Sequence, residues 1–117
     1  MLPLDFIQSS GFTKDWEDYR LDDDDLQELE NTIRKSPRGA PVIRGTGGLR
    51  KLRFVPMRSR RGKRGGFRVC YVYFEKYESV YLVTIYAKTD QADLSSAGRK
   101  KMSQLIKNQE ADLARRK

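Results

Sequence analysis

Apolar positions along the chain follow two rhythms, and the changes between them place the elements. Leu2-Pro3-Leu4-Asp5-Phe6-Ile7 is a short apolar run, and Pro3 confines it to the start of a strand or to a sheet edge, which predicts an opening edge strand. Phe12, Trp16 and Tyr19 recur at spacings of four and three, so a short helix carries all three rings on one face. Core packing is their expected use, because Asp15, Glu17 and Asp18 around them would repel a nucleic acid. Asp22 to Asp25 supplies an N-cap and first-turn negative charge for a second helix. That helix buries Leu26, Leu29 and Ile33 and runs to about Lys35, where Ser36-Pro37-Arg38-Gly39-Ala40-Pro41 stops it. The two helices predict an antiparallel hairpin.

Beyond that connection the period shortens to two. Val42-Ile43-Arg44 leads into the turn Gly45-Thr46-Gly47-Gly48. A loop that cradles phosphate through backbone N–H groups needs a helix after it, and strand follows here, so the glycines predict a tight approach to a sheet. In Arg50 to Val55 the alternation puts Lys51 and Arg53 on one face, with Leu52 and Phe54 on the other. Met57 to Gly66 reads as a basic, glycine-rich hairpin loop that an anionic ligand would order. Phe67 to Phe74 and Ser79 to Tyr86 are dense in β-branched and aromatic residues, with Glu75-Lys76-Tyr77-Glu78 turning between them. Ser95 or Ser96 caps a last helix with Met102, Leu105, Ile106 and Leu113 on its apolar edge, ending in Arg115-Arg116-Lys117. The order is strand, two helices, three antiparallel strands, helix. It predicts an α+β domain, an antiparallel sheet with an N-terminal helical hairpin and a C-terminal helix, with the helices expected on one side.

Length and charge narrow this picture. A chain of 117 residues holds one domain, 1–117, with a modest core. The net charge of +8 is unevenly spread: Met1 to Glu30 carry ten acids against two bases, and the remainder 22 bases against six acids. The acidic first segment is expected to shield part of the basic surface, to face away from its ligand, or simply to be a solvated helix start. One cysteine, Cys70, and no histidine exclude a disulfide framework, a zinc site of several thiolates and imidazole chemistry. No metal or cofactor is expected, and Cys70, inside an apolar strand, reads as a core residue. No apolar run approaches the roughly 20 residues that cross a bilayer, and no charged-then-apolar leader is present, so a soluble cytoplasmic protein without a membrane partner is expected.

Candidate chemistry concentrates between Arg44 and Arg68, where ten Lys or Arg stand with no Asp or Glu. Such a field calls for a polyanion. Cations held on a sheet, with apolar residues anchoring the reverse side, make a stiff surface for phosphate. Cleavage of RNA by its own 2′-hydroxyl needs that hydroxyl deprotonated, the phosphorane stabilised and the 5′-oxygen protonated. Without histidine, cations must do this. A lysine among arginines has its pKa lowered by like charge and can accept a proton, whereas arginine stays charged and clamps phosphate with two prongs. On that logic Lys51 or Lys88 is the base, and Arg53, Arg64 and Arg68 stabilise the transition state. Arg50, Arg58, Arg60, Arg61, Lys63, Arg99, Lys100 and Lys101 are candidates for contacts with RNA or the ribosome.

Three segments carry a family resemblance over nearly the whole chain: Ile43-Arg44-Gly45-Thr46-Gly47-Gly48-Leu49-Arg50-Lys51-Leu52-Arg53, Gly62-Lys63-Arg64-Gly65-Gly66-Phe67-Arg68-Val69 and Leu82-Val83-Thr84-Ile85-Tyr86-Ala87-Lys88. Together with the element order they resemble the HigB-like branch of the RelE/ParE toxins. The resemblance implies a small toxin of a type II toxin–antitoxin pair, a ribosome-dependent mRNA endonuclease that inhibits translation, partnered by a cognate antitoxin, rRNA and mRNA. By motif match it places Lys51 and Arg53 at the family's paired basic residues, Arg68 at the arginine opening the next strand, and Lys88 at the basic residue ending the last one. RelE carries a further arginine and a tyrosine beyond that point. Here Thr89 follows Lys88, Ser95 stands near the tyrosine's place, and Tyr86 precedes Lys88 and is not counted in the site. Two rival readings are a ParE-like toxin that binds DNA gyrase and a non-catalytic nucleic-acid-binding module.

Overall fold

The computed structural model describes residues 3–59, 66–88 and 94–116. Residues 60–65, and with them the expected basic loop and the candidates Arg60, Arg61, Lys63 and Arg64, lie outside the described residues. The elements run β1 (Asp5–Gln8), α1 (Ser10–Asp18), α2 (Asp23–Lys35), β2 (Arg50–Phe54), β3 (Phe67–Phe74), β4 (Ser79–Ala87) and α3 (Ser96–Arg116). Single 3-10 turns at Met57–Ser59 and Glu75–Tyr77 follow β2 and β3. This is the α+β architecture expected from the sequence.

The caps that start and stop the helices are side-chain chemistry. Ser9 caps α1 by accepting the Phe12 N–H, and its hydroxyl donates to the Val83 carbonyl at 2.7 Å, so one serine both starts the helix and pins it to β4. Asp22 caps α2 in a reciprocal box with Asp25, each carboxylate accepting the other's backbone N–H at 2.9 Å. Between the helices the chain turns through Arg20 at φ 59, with the Leu21 N–H reaching back to the Trp16 carbonyl and the Arg20 N–H to that of Glu17. That is the bonding of a Schellman stop.

The sheet has the order β1-β4-β3-β2. β2, β3 and β4 are antiparallel, and β1 joins the β4 edge in parallel register, Asp5 opposite Ser79. Helices cover both faces, not one as expected. Phe12, Trp16, Leu29 and Ile33 of the hairpin pack on Val69, Tyr71, Leu82 and Ile85. Ile106 and Leu113 of α3 pack on the opposite face against Cys70, Val72, Phe74 and Val83. The cause lies in β3: Val69-Cys70-Tyr71-Val72 are all buried, and a strand apolar on both faces must be covered on both.

The β3–β4 ladder carries one irregularity. From the turn, Phe74 pairs with Ser79 and the register holds to Tyr71 opposite Leu82; Cys70 then pairs with Thr84, leaving Val83 as the extra residue of a bulge. Past it, Tyr86 stands opposite Arg68; in an unbulged ladder Ile85 would have stood there, and Tyr86 would have turned to the hairpin face.

Candidate functional site

The register assembles a compact patch on the sheet face that α3 covers elsewhere. Arg53 pairs with Arg68 and Arg68 with Tyr86, forming one cross-strand row. The neighbouring row is Lys51, Cys70 and Thr84. Rows on one face lie about 7 Å apart and strands about 5 Å apart, so Lys51, Arg53, Arg68 and Tyr86 share one face with backbone positions no more than about 12 Å apart, within reach of their long side chains. The Lys51 N–H donates to the Pro41 carbonyl, outside the sheet. Lys51 and Arg53 therefore sit at the narrow, non-hydrogen-bonded positions of the β2–β3 pair, where facing side chains approach closest. Lys51 and Arg68 are half-buried and Arg53 is exposed.

Cys70 is the floor of this patch. It is buried, and its thiol is pushed up to about 11, burial outweighing the nearby Lys51 charge and a hydrogen bond with Tyr86. A thiol held protonated in this way is core, as the sequence indicates. The same contact ties Tyr86 into the patch. Tyr86 is the member that reasoning from sequence misses, because the bulge that brings it beside Arg68 leaves no mark in the alternation of β4.

The other candidates separate by position. Lys88 stands one residue past β4, where its N–H bonds the Gly66 carbonyl at 3.3 Å and carries the ladder two residues beyond the Arg68–Tyr86 pair. Arg50, expected to touch RNA, occupies the other face: its guanidinium donates to the carbonyls of Arg38 and Ala40 at 3.0 and 2.7 Å and closes the α2–β2 connection. Arg58 is likewise engaged, gripping Asp25 with contacts of 2.7 to 3.1 Å and the Arg20 carbonyl at 3.0 Å. Asp25, in the acidic first turn of α2, is almost fully buried because of that grip. Burial pushes its carboxyl up, but the Arg58 hydrogen bonds and charge, with the Asp22 N–H, bring it below the usual carboxylate value. Arg99 donates to the Arg44 carbonyl at 3.1 Å and lies against Gly45, so it braces the glycine turn on α3. Lys100 and Lys101 are exposed on α3.

The glycine turn is a packing device. Gly45, Gly47 and Gly48 all have positive φ, and buried Thr46 closes the turn by donating to the Ile43 carbonyl at 2.6 Å and accepting the Leu49 N–H at 3.0 Å. It sets the start of β2 and hence the face that Lys51 and Arg53 share.

Solved structures with the same architecture are known. The chain has the fold of the RelE toxin. A double arginine-to-alanine mutant of E. coli toxin RelE in the free state superposes with a TM-score of 0.55 at 18% identity, over 85% of this chain and 97% of that one. The isolated E. coli RelE toxin, P21 form, gives 0.52 at 18% identity, over 87% of this chain and 98% of that one. No protein-family model matches the sequence. Among the described residues no helix is long and apolar enough to cross a membrane.

Proposed function

We propose that this chain is the toxin of a type II toxin–antitoxin pair, of the HigB-like branch, and that it cleaves mRNA presented by the ribosome. The observation that carries the reading is the single sheet face holding Lys51, Arg53, Arg68 and Tyr86 in two adjacent cross-strand rows. The RelE fold supports it. In this reading Arg53 and Arg68 clamp the non-bridging phosphate oxygens as charge builds on them. The Lys51 amine nitrogen takes the proton of the 2′-hydroxyl. The O2′–P bond forms, the P–O5′ bond breaks, and the departing O5′ takes a proton from the Lys88 ammonium, leaving a 2′,3′-cyclic phosphate. Tyr86 hydrogen-bonds the phosphate or stacks on a base. So small a patch offers little grip on free RNA, and the ribosome supplies the orientation. A cognate antitoxin, acidic where it meets the patch, neutralises it.

The test is to map cleavage ends on translating ribosomes after brief induction. Cuts within translated messages that vanish in Arg68→Ala with Lys88→Ala support the proposal. Undiminished cutting and growth arrest by that double variant would remove the site, and loss of gyrase supercoiling without any cleavage would replace the function.

A further inference from the structure

A recess lies where the sheet ends, beside the α1–α2 turn. Its volume is about 320 Å³, and Tyr19, Arg20, Val55, Pro56, Phe67 and Ala87 are among the residues that line it. Phe67 and Ala87 are the immediate chain neighbours of Arg68 and Tyr86, so the recess opens on the hairpin face of the sheet end whose other face carries the cation rows. Its aromatic wall is fixed in advance. The Tyr19 hydroxyl accepts the Ala87 N–H at 3.0 Å, and its ring meets Phe67 edge-on with centroids 5.0 Å apart.

Arg20 is the residue the fold does not explain. It occupies the left-handed position that ends α1, φ 59, where glycine is the residue of least strain. The Arg58 guanidinium fixes its carbonyl at 3.0 Å, yet its own side chain is exposed and makes no hydrogen bond or ion pair among the described residues. The Arg58 charge, on the same recess, is taken by Asp25. Among the described residues lining the recess, Arg20 is thus the cation left for an anion, carried where the Schellman stop of α1 sets a left-handed backbone.

We infer that this recess is a nucleotide subsite, the base lying against Tyr19 and Phe67 and its phosphate on Arg20, next to the scissile phosphate at Arg53 and Arg68. The inference rests on the endonuclease reading. Aromatic walls with one guanidinium suit a base and a phosphate together, and the volume, at the low end for small-ligand sites, admits one nucleotide. A strand bent over the sheet end reaches both faces within a short run of nucleotides.

The full-length chain with Arg20→Gly tests this, with an uncleavable single-stranded DNA oligonucleotide as probe and translated mRNA as substrate. Expected are a higher Tm from the relieved backbone, oligonucleotide affinity about tenfold lower, and a salt slope of binding smaller by about 0.7. Base preference at one position beside the cut is lost, and Arg20→Lys retains most of the affinity. A raised Tm with unchanged affinity and cutting pattern overturns the subsite and leaves the nuclease intact. Weaker binding of the neutralising protein with RNA binding unchanged also overturns it, making the recess a protein contact. Loss of oligonucleotide binding in Arg20→Gly, from a wild type that cuts no translated message, upholds the subsite and sinks the nuclease reading.

Discussion

Arg53 and Arg68 face each other across adjacent strands, at the pair type that brings side chains closest. Like charges so placed destabilise a sheet by a few tenths of a kcal/mol or more, and an anion between them reverses the sign. Arg53→Ala is expected to lower ribosome-dependent cleavage by about 10²-fold or more with a much smaller effect on Tm; thermal melts beside single-turnover cleavage check this, and a matching loss in both readouts would mark Arg53 as structural. The strict alternation of Arg50 to Phe54 makes this half of the patch legible in the sequence, because nothing interrupts the period in so short a strand. Tyr86 is illegible for the converse reason. A bulge at Val83 changes which face the end of β4 presents, and no local residue preference reports it. Composition counts charges and does not show that Arg50, Arg58 and Arg99 each spend guanidinium N–H groups on a carbonyl or on Asp25.

At the scale of elements, the post-β2 turn is bolted to α2. Arg58 grips Asp25, and the Met57 N–H donates to the Glu28 carboxylate at 3.0 and 3.1 Å. Asp25 has a lowered folded-state pKa, so it contributes stability that is present above its unfolded value, about 3.9, and is lost as pH falls through the folded one. Asp25→Asn should lower Tm by roughly 5 to 10 °C at pH 7, and the gap to wild type should close as pH drops below about 4. A gap that stays constant across that range would contradict the ion pair. Gly66, where the chain re-enters the sheet, is a second fixed point: at φ 60 an added methyl would stand 2.6 Å from a Val55 methyl and 2.7 Å from the Phe54 carbonyl oxygen. Gly66→Ala should therefore cost more than about 1 kcal/mol, readable as a shift in the denaturation midpoint at unchanged slope. The helices are legible through caps and spacing, and β2 to β4 through β-branched and aromatic runs. The parallel pairing of β1 and the placing of α3 on the opposite face are not, since both are decided by what the sheet leaves uncovered and not by the segments themselves.

For the molecule as a whole, the net charge of +8 hides a division of labour. Part of the acid of the first thirty residues is taken up in holding Arg58, so the acidic segment partly neutralises the basic body it precedes. On α3, Lys100 and Lys101 are exposed, and the first turn of that helix contains no acid. Two roles for positive charge then separate by measurement. In the proposed endonuclease reading, cations at the patch act on a developing charge and change the rate at saturation, and cations on α3 act on the counterion atmosphere of rRNA and change the salt dependence of binding. Replacing Lys100 and Lys101 by Gln should lower the magnitude of the slope of log K against log salt by about 1.8 if both meet duplex phosphates, with single-turnover cleavage at saturating ribosomes unchanged. The reverse pattern, an unchanged slope with slowed cleavage, would move both lysines into the chemistry and make α3 part of the active surface. Arg68→Ala in the same assay should slow cleavage at saturation and change the slope by less than about one, so the two variants together divide binding charge from reacting charge on one small sheet.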